Sequence, residues 1–159
     1  VYQLDFYSDE DLRAILRRSA KKLGLKVPEE VIEGIAKRSR ATPRVANSLL
    51  KRVRDFAEVH ERPMTAELCD EACKLFGIDE LGLTKDDRRY LDTMEKGFRG
   101  GPAGVRALAS SMHEDEETLE MVYEPYLLRL GFIERSLRGR MLTQKGRMYL
   151  KGEKEETLL

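Results

Sequence analysis

Three arginines surround a tight turn that the sequence predicts near the end of the chain. Arg135, Arg138 and Arg140 flank or occupy this turn of a predicted β-hairpin, and Gly139 supplies the conformational freedom that a tight turn needs. The planar guanidinium of an arginine can hold two phosphate oxygens at once. We therefore predict that these three residues contact the phosphates of a nucleic acid. The alternative is that they only keep the hairpin soluble.

The charges of the chain are unevenly distributed, although 29 basic and 29 acidic residues balance overall. Residues 37–54 contain seven basic side chains and no acidic one, and residues 129–151 contain seven basic side chains against a single glutamate. Such basic stretches suit polyanions, either the phosphates of a nucleotide or a nucleic-acid backbone. For the first stretch, an ordinary solvated helix surface is an equally good interpretation.

Residues 114–124 show the opposite pattern, with six carboxylates and no basic residue. They begin the predicted third helix of the second half of the chain. In a winged-helix protein that helix usually enters the major groove with its N-terminal end first. Six carboxylates there would meet phosphates and weaken binding. We therefore predict that the basic hairpin contacts DNA instead, through backbone and shape and with little sequence preference.

The tripeptide Thr42-Pro43-Arg44 places an arginine in the first turn of a predicted helix, after a capping residue and a rigid proline. An arginine held in this way can reach the terminal phosphates of a nucleotide and sense their loss. An ordinary surface arginine is the alternative.

The sequence contains no phosphate-binding loop, because no glycine is followed directly by lysine. We therefore expect that the chain alone neither binds ATP tightly nor hydrolyses it. The two cysteines and two histidines form no metal-ligand pattern, so we expect no metal site.

The hydrophobic spacing predicts a mainly α-helical chain in two parts. Residues 1–77 read as a short strand at residues 1–6 and four helices, and residues 78–83 read as a hinge. Residues 78–159 read as three helices, a hairpin and a closing short helix, followed by a frayed end. Three helices followed by a hairpin is the element order of a winged helix, in which the hairpin forms the wing.

The chain begins with Val1, inside the predicted strand, which suggests a fragment of a longer protein. No apolar run is long enough to span a membrane. The cysteine usage fits a reducing compartment, so we expect a cytoplasmic protein.

Four segments together resemble the RuvB family of Holliday-junction branch-migration motors. The resemblance covers nearly the whole chain and rests on the following motifs: YEPYLLRLGFIERSLRGR at residues 123–140, RSRATPRVAN at 38–47 with RVRDF at 52–56, LTKDDRRYL at 83–91, and GGPAG at 100–104.

This resemblance implies a fold and an activity. Residues 1–77 would be the small helical lid of an AAA+ ATPase, and residues 78–159 a DNA-binding winged helix. RuvB proteins are bacterial hexameric motors that use ATP and Mg²⁺ to drive DNA through Holliday junctions together with RuvA and RuvC. Arg44 falls on the sensor-2 arginine, and Pro43 and Tyr7 fall near the nucleotide base. Arg135 and Arg140 fall on wing arginines that contact DNA.

The family's Walker A and Walker B motifs, its sensor-1 residue and its arginine finger have no counterpart in these 159 residues. We therefore expect an inactive, monomeric chain that holds ATP weakly at most.

Two other functions remain open at this point. A transcriptional regulator with a winged helix and a helical oligomerisation domain would bind one DNA sequence selectively. A protein-interaction adaptor would show no affinity for DNA.

Overall fold

The computed structural model describes the backbone of residues 6–158 and the side chains of residues 6–152. The described chain is mainly helical with one small antiparallel hairpin, which confirms the predicted fold class. It divides into two compact units, Val1–Thr84 and Lys85–Leu159, which we call unit 1 and unit 2. The predicted strand at residues 1–6 lies outside the described residues except for Phe6, which is not in a strand.

The described residues of unit 1 form four helices, as the hydrophobic spacing predicts. They are α1 (Asp9–Lys22), α2 (Glu29–Lys37), α3 (Pro43–Val59) and α4 (Ala66–Leu75). The hydroxyls of Ser8, Thr42 and Thr65 accept hydrogen bonds from backbone amides in the first turns of α1, α3 and α4. These caps satisfy amides that have no partner within the helix.

The core of unit 1 lies among these four helices and contains buried aliphatic side chains together with both cysteines. Leu75, the last residue of α4, does not join this core and is 72% exposed. Residues 78–83 fold as a turn in which the carboxylate of Asp79 accepts hydrogen bonds from the amides of Leu81 and Leu83. Separate motion of the two halves about this segment stays a prediction.

Three helices of unit 1 end with the same hydrogen-bond pattern. The residue after the C-cap has a positive φ at Gly24, Gly77 and Glu61. After Glu61, the amide of Arg62 donates to the carbonyl of Ala57 over 3.0 Å, which defines a Schellman motif. Glycine adopts this left-handed conformation without steric cost, whereas glutamate adopts it at a cost because of its Cβ. The end of α3 is therefore strained where the ends of α1 and α4 are not.

Replacing Glu61 by glycine should stabilise unit 1 by about 0.5–1 kcal/mol, because relief of the left-handed strain exceeds the added freedom of the unfolded chain. Glu58→Gly is the matched control, since Glu58 lies inside the last turn of α3. This control should destabilise unit 1 by about 0.5–1 kcal/mol. Urea unfolding followed on the amide resonances of α3 would measure both changes. Equal signs for the two variants would contradict the strain at Glu61.

Unit 2 begins with α5 (Lys85–Phe98) and α6 (Val105–Met112). Gly97 lies within α5, close to its end, because a single glycine costs a helix only about 1 kcal/mol. The predicted third helix is present but interrupted: α7 (Glu116–Thr118) leads into a π-helical turn (Leu119–Tyr123) and then into α8 (Glu124–Arg129).

The wing follows as β1 (Ile133–Ser136) and β2 (Gly139–Leu142), which pair in antiparallel register. Ala103 adds an isolated bridge to the other edge of β2, because Ala103 and Arg140 exchange two backbone hydrogen bonds of 2.9 and 2.8 Å. The last described element is α9 (Gln144–Leu158), which is longer than the short closing helix that the sequence predicts, and fraying after Gly152 stays a prediction. Three helices followed by a hairpin confirm the predicted winged-helix order.

Candidate nucleic-acid interface

The tip of the wing is a short turn held by Ser136. The Ser136 hydroxyl donates to the carbonyl of Gly139 over 2.9 Å and accepts from the amide of Arg138 over 3.3 Å. Leu137 at the tip is fully exposed, and the Arg138 side chain is exposed beside it. No partner for the guanidinium of Arg138 occurs among the described side chains. The turn therefore presents one cation at its most accessible point.

A buried carboxylate lies beneath the base of the wing. Glu124, at the start of α8, is completely buried. Its oxygens accept hydrogen bonds from the Arg140 Nε at 3.0 and 3.3 Å, from an Arg135 terminal nitrogen at 3.1 Å and from the Tyr90 hydroxyl at 3.3 Å. Side chains from α5, β1 and β2 thus converge on one carboxylate. We call Tyr90, Glu124, Arg135 and Arg140 the Glu124 cluster.

The carboxylate offsets a repulsion that the strand register creates. Arg135 and Arg140 lie directly opposite each other in the hairpin. Cross-strand partners share one face of the sheet, and like charges in these positions destabilise it. Glu124 binds both guanidiniums, and Glu120 lies 3.6 Å from Arg140 as a further anion. The negative charges of Glu120 and Glu124 therefore offset the positive charges of Arg135 and Arg140.

Burial and charge shift the protonation equilibria of the Glu124 cluster. Burial raises the pKa of Tyr90 far above its ordinary value, and the charge of Glu124 raises it further, so the hydroxyl keeps its proton and donates. Burial lowers the pKa of Arg140, but the hydrogen bond and the charge of Glu124 outweigh this effect and raise it overall. The arginine therefore stays charged.

The three predicted DNA-binding arginines differ in accessibility. The side chain of Arg135 is 53% exposed, whereas that of Arg140 is only 14% exposed and lies against Glu124. Arg138 is exposed at the tip. The structure thus gives Arg135 and Arg138 open access to an external phosphate, while most of Arg140 is enclosed.

Other cations of the basic stretch at residues 129–151 also have partners, and these partners lie within unit 2. The Arg147 Nε donates to a Glu95 oxygen over 3.1 Å, and the Lys145 ammonium donates to the carbonyl of Leu130 over 2.8 Å. These contacts tie α9 to α5 and to the end of α8, so a high count of basic residues overstates the number of cations that face outward.

The acidic stretch at residues 114–124 has two parts. Asp115, Glu116 and Glu117 are exposed in and before α7. Glu114 pairs with Arg89 over 3.2 Å, and Glu124 is buried in the cluster. The sequence predicts surface charges at all of these carboxylates, and the prediction does not include Glu124 as a partner of the wing arginines.

The π-helical turn explains why the buried glutamate was not recognised. A π turn has more residues than an α turn, so it rotates the residues after it around the helix axis. Val122 is 56% exposed although it is apolar, while Glu124 turns inward. The only clear sequence signal for the burial of Glu124 is Leu127. This apolar residue lies three positions after Glu124, on the same side of a helix, and it is buried in the structure.

A second candidate site lies in unit 1, where α3 begins. The backbone amide of Tyr7 donates to the carbonyl of Ala41 over 2.9 Å, which places Tyr7 beside the Thr42-Pro43-Arg44 turn. Tyr7 is 41% exposed as a residue. Arg44 is exposed, and the described part of the chain provides it with no partner. The three predicted nucleotide-binding residues therefore lie at one end of α3, with one unpaired guanidinium and one accessible aromatic ring.

Other cations of the first basic stretch contact neighbours within unit 1. Arg38 is buried and pairs with Asp70 over 2.9 Å, Arg54 pairs with Asp55, and Arg52 lies over the ring of Phe76. The stretch is therefore partly structural, and Arg44 remains its best candidate for binding an external anion.

Comparison with known proteins assigns both units. A sequence model described as the RuvB AAA lid domain matches residues 7–79, and one described as the RuvB C-terminal winged helix domain matches residues 80–151. The chain belongs to the RuvB family. It is 48% identical to the Holliday junction branch migration complex subunit RuvB of Synechococcus sp., over 94% of this chain and 44% of that protein. It is 48% identical to the subunit of Thermobifida fusca, over 90% of this chain and 41% of that protein.

A solved structure shows the same fold. The Thermotoga maritima RuvB Holliday junction branch migration motor matches with a TM-score of 0.89 and 42% identity, over 93% of this chain and 50% of that one. The chain thus spans about half the length of the relatives and structures it matches. Across the described helices, none has the length and apolar character needed to cross a membrane. The described residues also include no cluster of three or more potential metal-ligating side chains.

Proposed function

We propose that this chain supplies the lid and the DNA-binding wing of a RuvB-type Holliday-junction branch-migration motor. The observation that carries the proposal is the wing, where Arg135 and Arg138 present accessible guanidiniums on a hairpin braced by Glu124 and Ala103. Guanidiniums at these positions suit phosphate oxygens of a duplex backbone. Arg140 contributes mainly by fixing the base of the wing, and its small exposed portion contacts DNA at most peripherally.

Binding without sequence preference follows from the charges of unit 2. Three exposed carboxylates in and before α7 would repel phosphates if this helix entered the major groove. Contacts between the wing and the phosphate backbone do not involve the base edges. Such binding suits a motor that must move along any sequence. The same charges disfavour a sequence-specific transcriptional regulator.

The lid would complete a nucleotide site together with an ATPase core like that of the RuvB family. The exposed, unpaired Arg44 fits a contact with nucleotide phosphates, and the accessible ring of Tyr7 with Pro43 fits a contact near the base. ATP bound with Mg²⁺ supplies the energy for movement in such a motor. We further propose that a motor containing this chain assembles as a homohexamer, cooperates with RuvA and RuvC at Holliday junctions and lies in the bacterial cytoplasm, whereas the chain alone is monomeric.

Fluorescence anisotropy with labelled duplexes of unrelated random sequence, and with a four-way junction, tests DNA binding by the chain itself. We expect similar dissociation constants for all duplexes. We also expect affinity to fall with salt, with a slope of about −0.9 for each phosphate contacted. Tight binding to a single sequence would support the regulator, and no binding at low salt would remove the DNA-binding role of the isolated chain.

A further inference from the structure

The Glu124 cluster places a buried anion directly behind the cations that the proposed function assigns to DNA. An anion near a phosphate-binding surface ordinarily weakens binding by repulsion. Glu124 differs from the other carboxylates of its segment because it is completely buried and hydrogen-bonded from three elements. Buried charges in such networks commonly fix the geometry of their partners. Its role in binding therefore depends on what it does to Arg135 and Arg140.

We propose that Glu124 is a positioning residue for DNA binding, whose carboxylate holds Arg135 and Arg140 side by side so that the open edge of Arg135 faces a phosphate. This role rests on the proposed function of the wing. Arg135 uses one terminal nitrogen for Glu124, over 3.1 Å, and its side chain remains 53% exposed. The other nitrogens of its guanidinium stay available for a phosphate, since a guanidinium has several donors in a planar fork.

Positioning would lower the cost of binding in two ways. A guanidinium that is already oriented loses less freedom when it meets a phosphate. The carboxylate also screens Arg135 from Arg140, which the strand register places directly opposite. Without this anion the two cations would repel each other, and Arg135, the more exposed of the pair, would move away from its place. The Tyr90 hydroxyl, 3.3 Å from Glu124, holds the carboxylate itself.

The direction in which one substitution changes DNA affinity distinguishes positioning from simple repulsion. Glu124→Gln removes the negative charge and keeps the shape of the side chain. If Glu124 only repels DNA, this variant binds a duplex more tightly. If Glu124 positions the arginines, binding weakens even though the net charge becomes more favourable. Glu117→Gln is the matched control, because Glu117 carries the same carboxylate on an exposed position seven residues earlier.

We would measure anisotropy of a labelled random-sequence duplex with the 159-residue chain and its variants. Glu124→Gln should weaken binding by about five- to twentyfold, while Glu117→Gln should leave it unchanged or tighten it. In a chain that already carries Arg135→Ala, the added Glu124→Gln should have almost no further effect, because the residue it positions is gone. A purely structural role would weaken binding equally in both backgrounds.

The possible failures are distinguishable. If the unsubstituted chain does not bind the duplex, the proposed function of the wing is wrong and the role of Glu124 fails with it. If the chain binds and Arg135→Ala weakens binding, but Glu124→Gln binds equally well or better, the proposed function stands and the positioning role is overturned.

A measurement on the unsubstituted chain covers the case in which Glu124→Gln does not fold. The Nε proton of Arg140 should exchange slowly with solvent in NMR spectra, because it is donated to a buried carboxylate, and it should stay protected when the duplex is added. Addition of the duplex should instead shift the guanidinium signals of Arg135. Loss of protection at Arg140 on binding would show that DNA replaces Glu124 as its partner and would overturn the proposal.

Discussion

Replacing Arg135 and Arg138 together by alanine should weaken duplex binding by about 100-fold, because each removes a charge-assisted hydrogen bond to phosphate that contributes about 1.5 kcal/mol or more. The slope of log affinity against log salt should become shallower by about 2, since two phosphate contacts are lost. Both side chains are exposed, and Arg138 has no partner among the described residues, so the substitutions remove no enclosed packing. Anisotropy across a salt series measures both quantities.

The matched control removes the same charge from unit 1. Arg18 and Lys22 are exposed on α1, so Arg18→Ala with Lys22→Ala changes the net charge equally without touching the wing. This control should change affinity by less than about threefold, because charges in solvent at physiological salt are screened over about 8 Å. Equal losses in the two double variants would mean that DNA senses only the overall charge and that the wing is not the contact.

Arg140→Ala would be a poor substitute for this test. The Arg140 guanidinium is largely enclosed and pairs with both oxygens of Glu124, so its removal would leave a buried carboxylate with fewer donors. Removing one partner of a buried ion pair commonly costs about 3–5 kcal/mol. Loss of binding in that variant would therefore combine a lost contact with a disturbed wing. Arg138 has no partner among the described residues, and Glu124 keeps its bonds from Arg140 and Tyr90 when Arg135 is removed.

Local signals in the sequence were enough to predict most of the fold. The cap at Thr42 is determined by residues close in sequence, and the structure confirms it. The hairpin turn and the winged-helix order depend on equally local patterns. Features determined within one or two helical turns can therefore be predicted from the chain alone.

The Glu124 cluster could not be predicted in the same way. It depends on partners 11 to 34 residues away in sequence and on a π-helical turn that changes which residues face inward. A carboxylate within an acidic stretch looks like a surface charge unless those partners are known. The same limit applies to Arg140. Its position in the sequence pattern does not distinguish it from Arg135 and Arg138, whereas the structure largely encloses its side chain.

Gly139→Ala should destabilise unit 2 by about 3 kcal/mol, because it combines a backbone conformation that is nearly exclusive to glycine with a direct overlap. Gly139 has a φ of 134°, and a Cβ there would lie 2.5 Å from the carbonyl oxygen of Ala103. The overlap falls beside the bridge that joins Ala103 to Arg140. Urea unfolding followed on the amide resonances of β1 and β2 measures the loss.

Gly97→Ala provides the same chemical change with the opposite expected sign. Gly97 lies inside α5, and an added Cβ would make only an ordinary contact of 3.8 Å with Thr93. Alanine there should stabilise unit 2 by about 0.5–1 kcal/mol. If Gly139→Ala proved as harmless as Gly97→Ala, the close approach of Ala103 to the wing would be wrong.

Together, Gly139→Ala and the double substitution of Arg135 and Arg138 distinguish the stability of the wing from its role in DNA binding. Gly139→Ala acts on the backbone that carries Arg140, so it should lower both stability and duplex affinity. The double substitution of Arg135 and Arg138 should lower affinity with a smaller loss of stability, because Glu124 keeps Arg140 and Tyr90 as donors when Arg135 is removed. A wing that binds DNA through rigidly placed cations must show both behaviours. A wing that binds through net charge alone would keep its affinity after Gly139→Ala wherever the chain remains folded.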